Sequence, residues 1–94
     1  MLTISDKIMN KLINNLGEII RWPKKPHEKE IIIKYLSTKF ESDKKYTEKE
    51  INGIIDKYHL FNDIPLLRRE LVSRNFLART DDGSQYWKIN NPHL

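Results

Sequence analysis

The chain contains no cysteine. Disulfides, thiolate metal sites, iron–sulfur clusters and cysteine nucleophiles are thereby excluded, and the composition suits a reducing, cytoplasmic setting. Long apolar runs are missing too. None exceeds the three residues of Ile31-Ile32-Ile33, against the roughly 20 that a membrane span needs. No apolar block of signal-peptide type opens the chain, so a cytoplasmic location without a membrane partner is expected. Glycine is scarce, and the three present form no phosphate-binding loop. His27, His59 and His93 lie far apart and match no metal or triad spacing. The expectation is therefore no metal, no cofactor and no catalytic group.

What remains is the profile of one small folded domain. The chain has 94 residues, enough for a modest core. Its hydrophobic share of 38% beside 32% charged residues fits a polar-surfaced globule better than a disordered chain. The net charge is +4, which points toward nucleic acid. The surplus is uneven. Residues 1–46 carry ten Lys/Arg against six Asp/Glu, whereas residues 47–94 carry seven of each.

Residues 1–20 read as a helix and linker preceding a domain at 21–90. Ser5 is the expected N-cap, and Ile4 with Met9 has the spacing of a hydrophobic staple. Ile8, Met9, Leu12, Ile13 and Leu16 follow helical spacing, and Gly17 suits a left-handed terminator. That apolar stripe is too wide to stay exposed. It is covered either by its own domain or by a second copy, a homodimer through the N-terminal helix. Trp22-Pro23-Lys24-Lys25-Pro26 then reads as a stiff basic turn. Its lysines either meet phosphate or belong to a solvated linker.

A second helix is expected over about Pro26–Phe40, with proline in the first turn and apolar residues at helical spacing. Lys45-Tyr46 has room for a very short strand. Thr47-Glu48-Lys49-Glu50 is a capping box, followed by the helical stripe Ile51, Ile54, Ile55 and Tyr58. His59–Asn62 breaks that helix. Asp63 caps another, with Leu67 and Leu71 on its buried side, and Asn75 suits its left-handed end. Asp82-Gly83 marks a hairpin turn. Pairing outward sets Thr80 opposite Gln85, Arg79 opposite Tyr86, Ala78 opposite Trp87 and Phe76 opposite Ile89. Phe76, Ala78, Trp87 and Ile89 are expected to face the core, leaving Leu77, Arg79, Tyr86 and Lys88 toward water. The tail from Asn90 to Leu94 is expected to fray.

This order predicts an α+β fold of winged helix-turn-helix type: three helices and a C-terminal β-hairpin wing, with an extra N-terminal amphipathic helix. Specific runs add to that reading. Arg21-Trp22-Pro23-Lys24-Lys25, Phe40, Tyr46 to Asn52, Leu67 to Val72, and Gly83 to Trp87 resemble the bacterial family of domain of unknown function 2087. The resemblance covers about Ile20 to Lys88 and leaves the helix at 5–16 outside. It implies stand-alone proteins or C-terminal companions of winged-helix transcriptional regulators, hence a regulatory setting. It implies no established activity and no catalytic residue.

The third helix of such a module would enter the major groove of duplex DNA, with the hairpin beside the backbone. At 100° steps from Ile64, Arg69, Ser73, Leu66 and Pro65 point outward with Glu70 beside them. Arg68 lies on the border of the buried face. It is expected to pair structurally with an acid such as Glu50 or Asp63. This outer face has few side chains that read base edges. The DNA-binding candidates are therefore mainly phosphate contacts: Arg69, Ser73, Arg74, Arg79, Lys88, Lys24 and Lys25. A protein-interaction module using Leu66, Pro65 and Leu77 is the competing reading.

Overall fold

The structure is a computed structural model that describes residues 3–90. His93 and most of the tail expected to fray lie outside the described residues. Among the described residues the architecture is α+β, with four helices and one small antiparallel sheet. No helix among the described residues is long and apolar enough to cross a membrane.

The first helix, α1, spans Ile4–Leu12. Its N-cap is Thr3, not Ser5. The Thr3 hydroxyl accepts from the Asp6 amide at 3.0 Å, and the Asp6 carboxylate accepts from the Thr3 amide at 3.1 Å. Two otherwise orphaned amides are satisfied two residues earlier than the serine would allow. The helix also stops before Leu16. The Asn14 side-chain carbonyl accepts from the Leu16 and Glu18 amides, a local turn that competes with helix continuation. Leu16 is consequently exposed, as is Ile4 at the start of the helix, while Ile8 and Leu12 are buried in the core. Gly17 does adopt positive φ, within the turn rather than at the helix end.

Helix α2 spans Pro26–Ser37. It receives α1 through core contacts and through Lys11, whose ammonium lies 3.3 Å from the buried Glu28 carboxylate. Between the two helices, Ile19 is fully buried and bridges to both Ile13 and His59. Residues 3–20 thus share one core with the rest of the chain.

Strand β1, Lys45–Tyr46, leads into α3, Glu48–Lys57, through the Thr47–Glu50 capping box, which forms as expected. Hydrogen bonding to Thr47, chiefly from its backbone amide, holds the Glu50 carboxyl below its ordinary pKa. Helix α4, Ile64–Ser73, is capped by Asp63, and Asn75 takes the left-handed conformation beyond it. His59 fixes the turn between α3 and α4. A carbonyl can only accept, so its Nδ1 donates to Ile55 at 2.8 Å, leaving Nε2 to accept from the Asp63 amide at 2.9 Å. This buried histidine is a helix-end clamp with both ring nitrogens engaged.

Strands β2, Leu77–Arg79, and β3, Tyr86–Lys88, form the hairpin in the expected register. Its faces are the reverse of those expected. Leu77 and Tyr86 are buried, whereas Trp87, Ala78 and Ile89 are only partly so. The cause is β1, which pairs with β3 and makes the sheet order β1-β3-β2. Tyr46 sits opposite Tyr86, and both rings face the helices. Period-two alternation then sends Lys45, Trp87 and Ala78 to the other face. Phe76 precedes the strand and is buried from the α4–β2 connection.

Candidate nucleic-acid interface

Helix α4 and the hairpin enclose an open groove. Arg69 and Ser73 line it from the outer side of α4, Arg79 from β2, and Tyr86 from β3. Arg68 and Glu48 also line it. The groove therefore carries three arginines against one carboxylate.

Arg68 is structural, as expected, but its partners differ. Its Nη1 donates to the Asn52 side chain at 2.6 Å, and its Nε lies 3.6 Å from Glu48. Glu50 and Asp63, the expected partners, are already engaged in capping α3 and α4. Glu48 has a second partner, because the buried Tyr86 hydroxyl donates to it at 2.9 Å. Burial first, and that bond second, push the Tyr86 phenol above its ordinary pKa. The one acid of the groove is thus shared between a phenol and a guanidinium.

Arg69 and Arg79 are arranged differently. Both are exposed. Among the described residues Arg79 donates only to the Thr80 and Asp81 carbonyls, at 3.3 and 3.4 Å. Neither has a carboxylate within ion-pair distance among the described residues.

The remaining candidates lie elsewhere. Arg74 packs α4 onto α2, with its guanidinium 2.7 Å from Glu70 and 2.8 Å from Glu30. Those bonds, led by the one to Glu70, raise its already high pKa. Lys88 donates to the Phe40 carbonyl and lines a different groove. Lys24 and Lys25 are exposed just before α2. The structure therefore brings Arg69, Ser73 and Arg79 together and disperses the other four.

A model of a bacterial family matches residues 18–88, about three quarters of the chain. The chain belongs to the domain of unknown function 2087 family. That family is described as an uncharacterized protein conserved in bacteria. No curated protein and no solved structure matches the chain. The matched segment includes α2 through β3 and the whole groove, and leaves α1 outside. Within this family member, Tyr86 and Glu48 are site residues that sequence reasoning missed. The available signal was the cross-strand pairing of Tyr46 with Tyr86, which becomes visible only once β1 is docked on β3.

The competing apolar surface is reduced. Leu77 is buried, leaving Pro65 and Leu66 from that set at or near the surface. Among the described residues no cluster of His, Cys, Asp and Glu could hold a metal ion.

Proposed function

We propose that this chain is a winged-helix transcriptional regulator that binds duplex DNA mainly through phosphate. The observation that carries the reading is the convergence of Arg69 and Arg79 on one groove, each without a carboxylate partner among the described residues. Element order supports it. Helix α2, β1, α3, α4 and the hairpin follow one another, and the sheet order is β1-β3-β2. In such a module α4 enters the major groove and the β2–β3 hairpin flanks the backbone. Arg69, Ser73 and Arg79 then meet phosphate oxygens, and Arg68 holds α4 against α3. The outer side of α4 has little with which to read bases, so affinity comes chiefly from charge. The chain's own core buries Ile8 and Leu12, so covering that part of the stripe does not call for the alternative of a homodimer through the N-terminal helix. Duplex DNA is therefore the partner this reading carries.

The test is a titration with generic duplex DNA across salt concentrations. Affinity should fall by about 0.9 log unit per log unit of salt for each phosphate neutralised. Arg69→Ala and Arg79→Ala should each weaken binding and flatten the slope by about one contact. Arg68→Ala should instead lower stability. Absence of binding at about 50 mM salt, where basic contacts are strong, overturns the proposal in favour of a protein-interaction module.

A further inference from the structure

The outer face of the sheet carries an aromatic side chain that the core does not use. Trp87 is partly buried, yet it lies outside the set of hydrophobic residues packed on the core. It occupies the central strand. Its cross-strand neighbours are Lys45 on β1 and Ala78 on β2. The alanine is too short to cover the indole on its side. On the other side the Lys45 ammonium stands 5.7 Å from the ring centroid. The ring opens into a groove of about 580 Å³ that Lys44, Lys45, Lys88 and Asn90 also line. Lys44 and Lys45 stand there beside one acid, Asp43. Lys45 has no carboxylate within ion-pair distance among the described residues, and Lys44 has only the exposed Glu41 at 3.8 Å. Lys88 borders the groove by its strand position, but alternation sends its side chain to the inner face, where its ammonium bonds the Phe40 carbonyl.

A flat π-face beside exposed ammonium groups is the chemistry that accepts a nucleobase together with its phosphate. We propose that this groove binds an unpaired nucleotide, with the base stacked on Trp87 and the phosphate held by Lys45 and Lys44. Two sources carry that chemistry, a single-stranded nucleic acid and a free nucleotide. In both, Lys45 moves from the ring face to the phosphate as the base takes its place. Asn90 adds an amide for the base edge. The site stands apart from the α4 groove, because alternation places Trp87 and Tyr86 on opposite faces of β3. It does not depend on the reading of that groove.

The test uses the full chain, a labelled oligothymidylate of about twelve nucleotides, a length within common site sizes, and thymidine monophosphate. Anisotropy of the oligonucleotide reports affinity, and quenching of tryptophan emission reports stacking. Trp87→Ala should weaken binding about tenfold or more, the loss expected for one stacked base. Trp87→Phe should largely restore affinity while abolishing most of the quench. Lys45→Ala, at an exposed position that leaves the fold intact, should weaken binding and reduce its salt dependence by about 0.7 log unit per log unit of salt. Tighter binding of the oligonucleotide than of the monophosphate identifies the strand as ligand, and equal binding identifies the free nucleotide. Absence of quenching by both probes overturns the proposal. So does an oligonucleotide affinity that falls with Arg69→Ala and Arg79→Ala but not with Lys45→Ala, which would place the strand in the α4 groove.

Discussion

The two faces of the sheet carry similar residues and serve opposite ends. The inner face holds Tyr46, Tyr86 and Leu77 against the helices, all nearly inaccessible. The outer face holds Lys45, Trp87 and Ala78, none packed on the core. Each face has an aromatic ring, a smaller apolar side chain and a cation at its margin. What separates them is the context supplied by other elements. Helices α3 and α4 cover one side, and the hydroxyl of Tyr86 finds Glu48 at the helix start. The indole of Trp87 gains a lysine and a groove instead. Apolarity alone does not decide which side of a short strand is core. The deciding factor is which side the neighbouring elements can close.

The sharpest way to break this comparison is a pair of truncations. Leu77→Ala removes a fully enclosed side chain and should cost about 2–4 kcal/mol, the usual range for a buried leucine. Trp87→Ala removes a larger side chain but should cost only about 1 kcal/mol or less, as for surface positions. Urea denaturation of the two variants measures the difference. Equal losses would place the indole in the core and reverse the assignment of faces.

The error in reading the faces has a physical origin. The register was legible, because Asp82-Gly83 sets the turn and the pairs follow outward from it. The choice of face was not. Phe76, Ala78, Trp87 and Ile89 are all apolar, whereas the true inner face includes Arg79 and Lys88. Long cationic side chains can run along apolar surface and place their charge at its edge, as Lys88 does at the Phe40 carbonyl. The caps at Thr47 and Asp63 were legible because each depends on residues close in sequence. The partners of Arg68 were not, since Asn52 and Glu48 are brought to it by α3. Of the candidate interface, Arg69, Ser73 and Arg79 were visible as one helix face and one strand. Their shared groove was a product of packing.

A smaller effect sharpens the inner side of the comparison. Tyr86→Phe keeps the buried ring and removes only the hydroxyl that Glu48 accepts. The cost should be about 1–1.5 kcal/mol, typical of one hydrogen bond. Glu48 keeps access to water and to Arg68, so the change should leave the fold intact. The same variant should shift the amide signals of Arg68 and Asn52 in NMR spectra. A stability change within about 0.3 kcal/mol of zero, below that range, would show that the phenol is held by packing alone.

The strand that defines the inner face is tied to α3 by the cap that follows it. Thr47→Ala removes the hydroxyl that accepts from the Glu50 amide at 3.1 Å. The loss should be about 1 kcal/mol. It should appear in the denaturation midpoint and leave the affinity of the folded protein for any ligand unchanged. A binding loss with no change in midpoint would make Thr47 a contact residue.

The smallest effect lies at the turn that holds both faces in register. Asp82 accepts from the Ser84 amide at 3.0 Å and from the Thr80 hydroxyl at 2.7 Å. These bonds, led by the Ser84 amide, lower its pKa from 3.8 to about 2. A carboxyl depressed by folding binds fewer protons folded than unfolded, so its stabilisation is complete above the unfolded value. It is lost as pH falls from about 4 toward 2. The melting temperatures of the wild type and Asp82→Ala should therefore differ at neutral pH and converge over that window. Both should also lose stability in acid as the capping carboxylate Glu50, whose pKa is likewise lowered, takes up its proton. The Asp82 carboxyl carbon should titrate near 2 in NMR spectra. A midpoint at the ordinary 3.8 would show that the turn is held without the carboxylate's charge, and a difference between the two proteins that persists through the whole window would show that the side chain stabilises the turn without that charge.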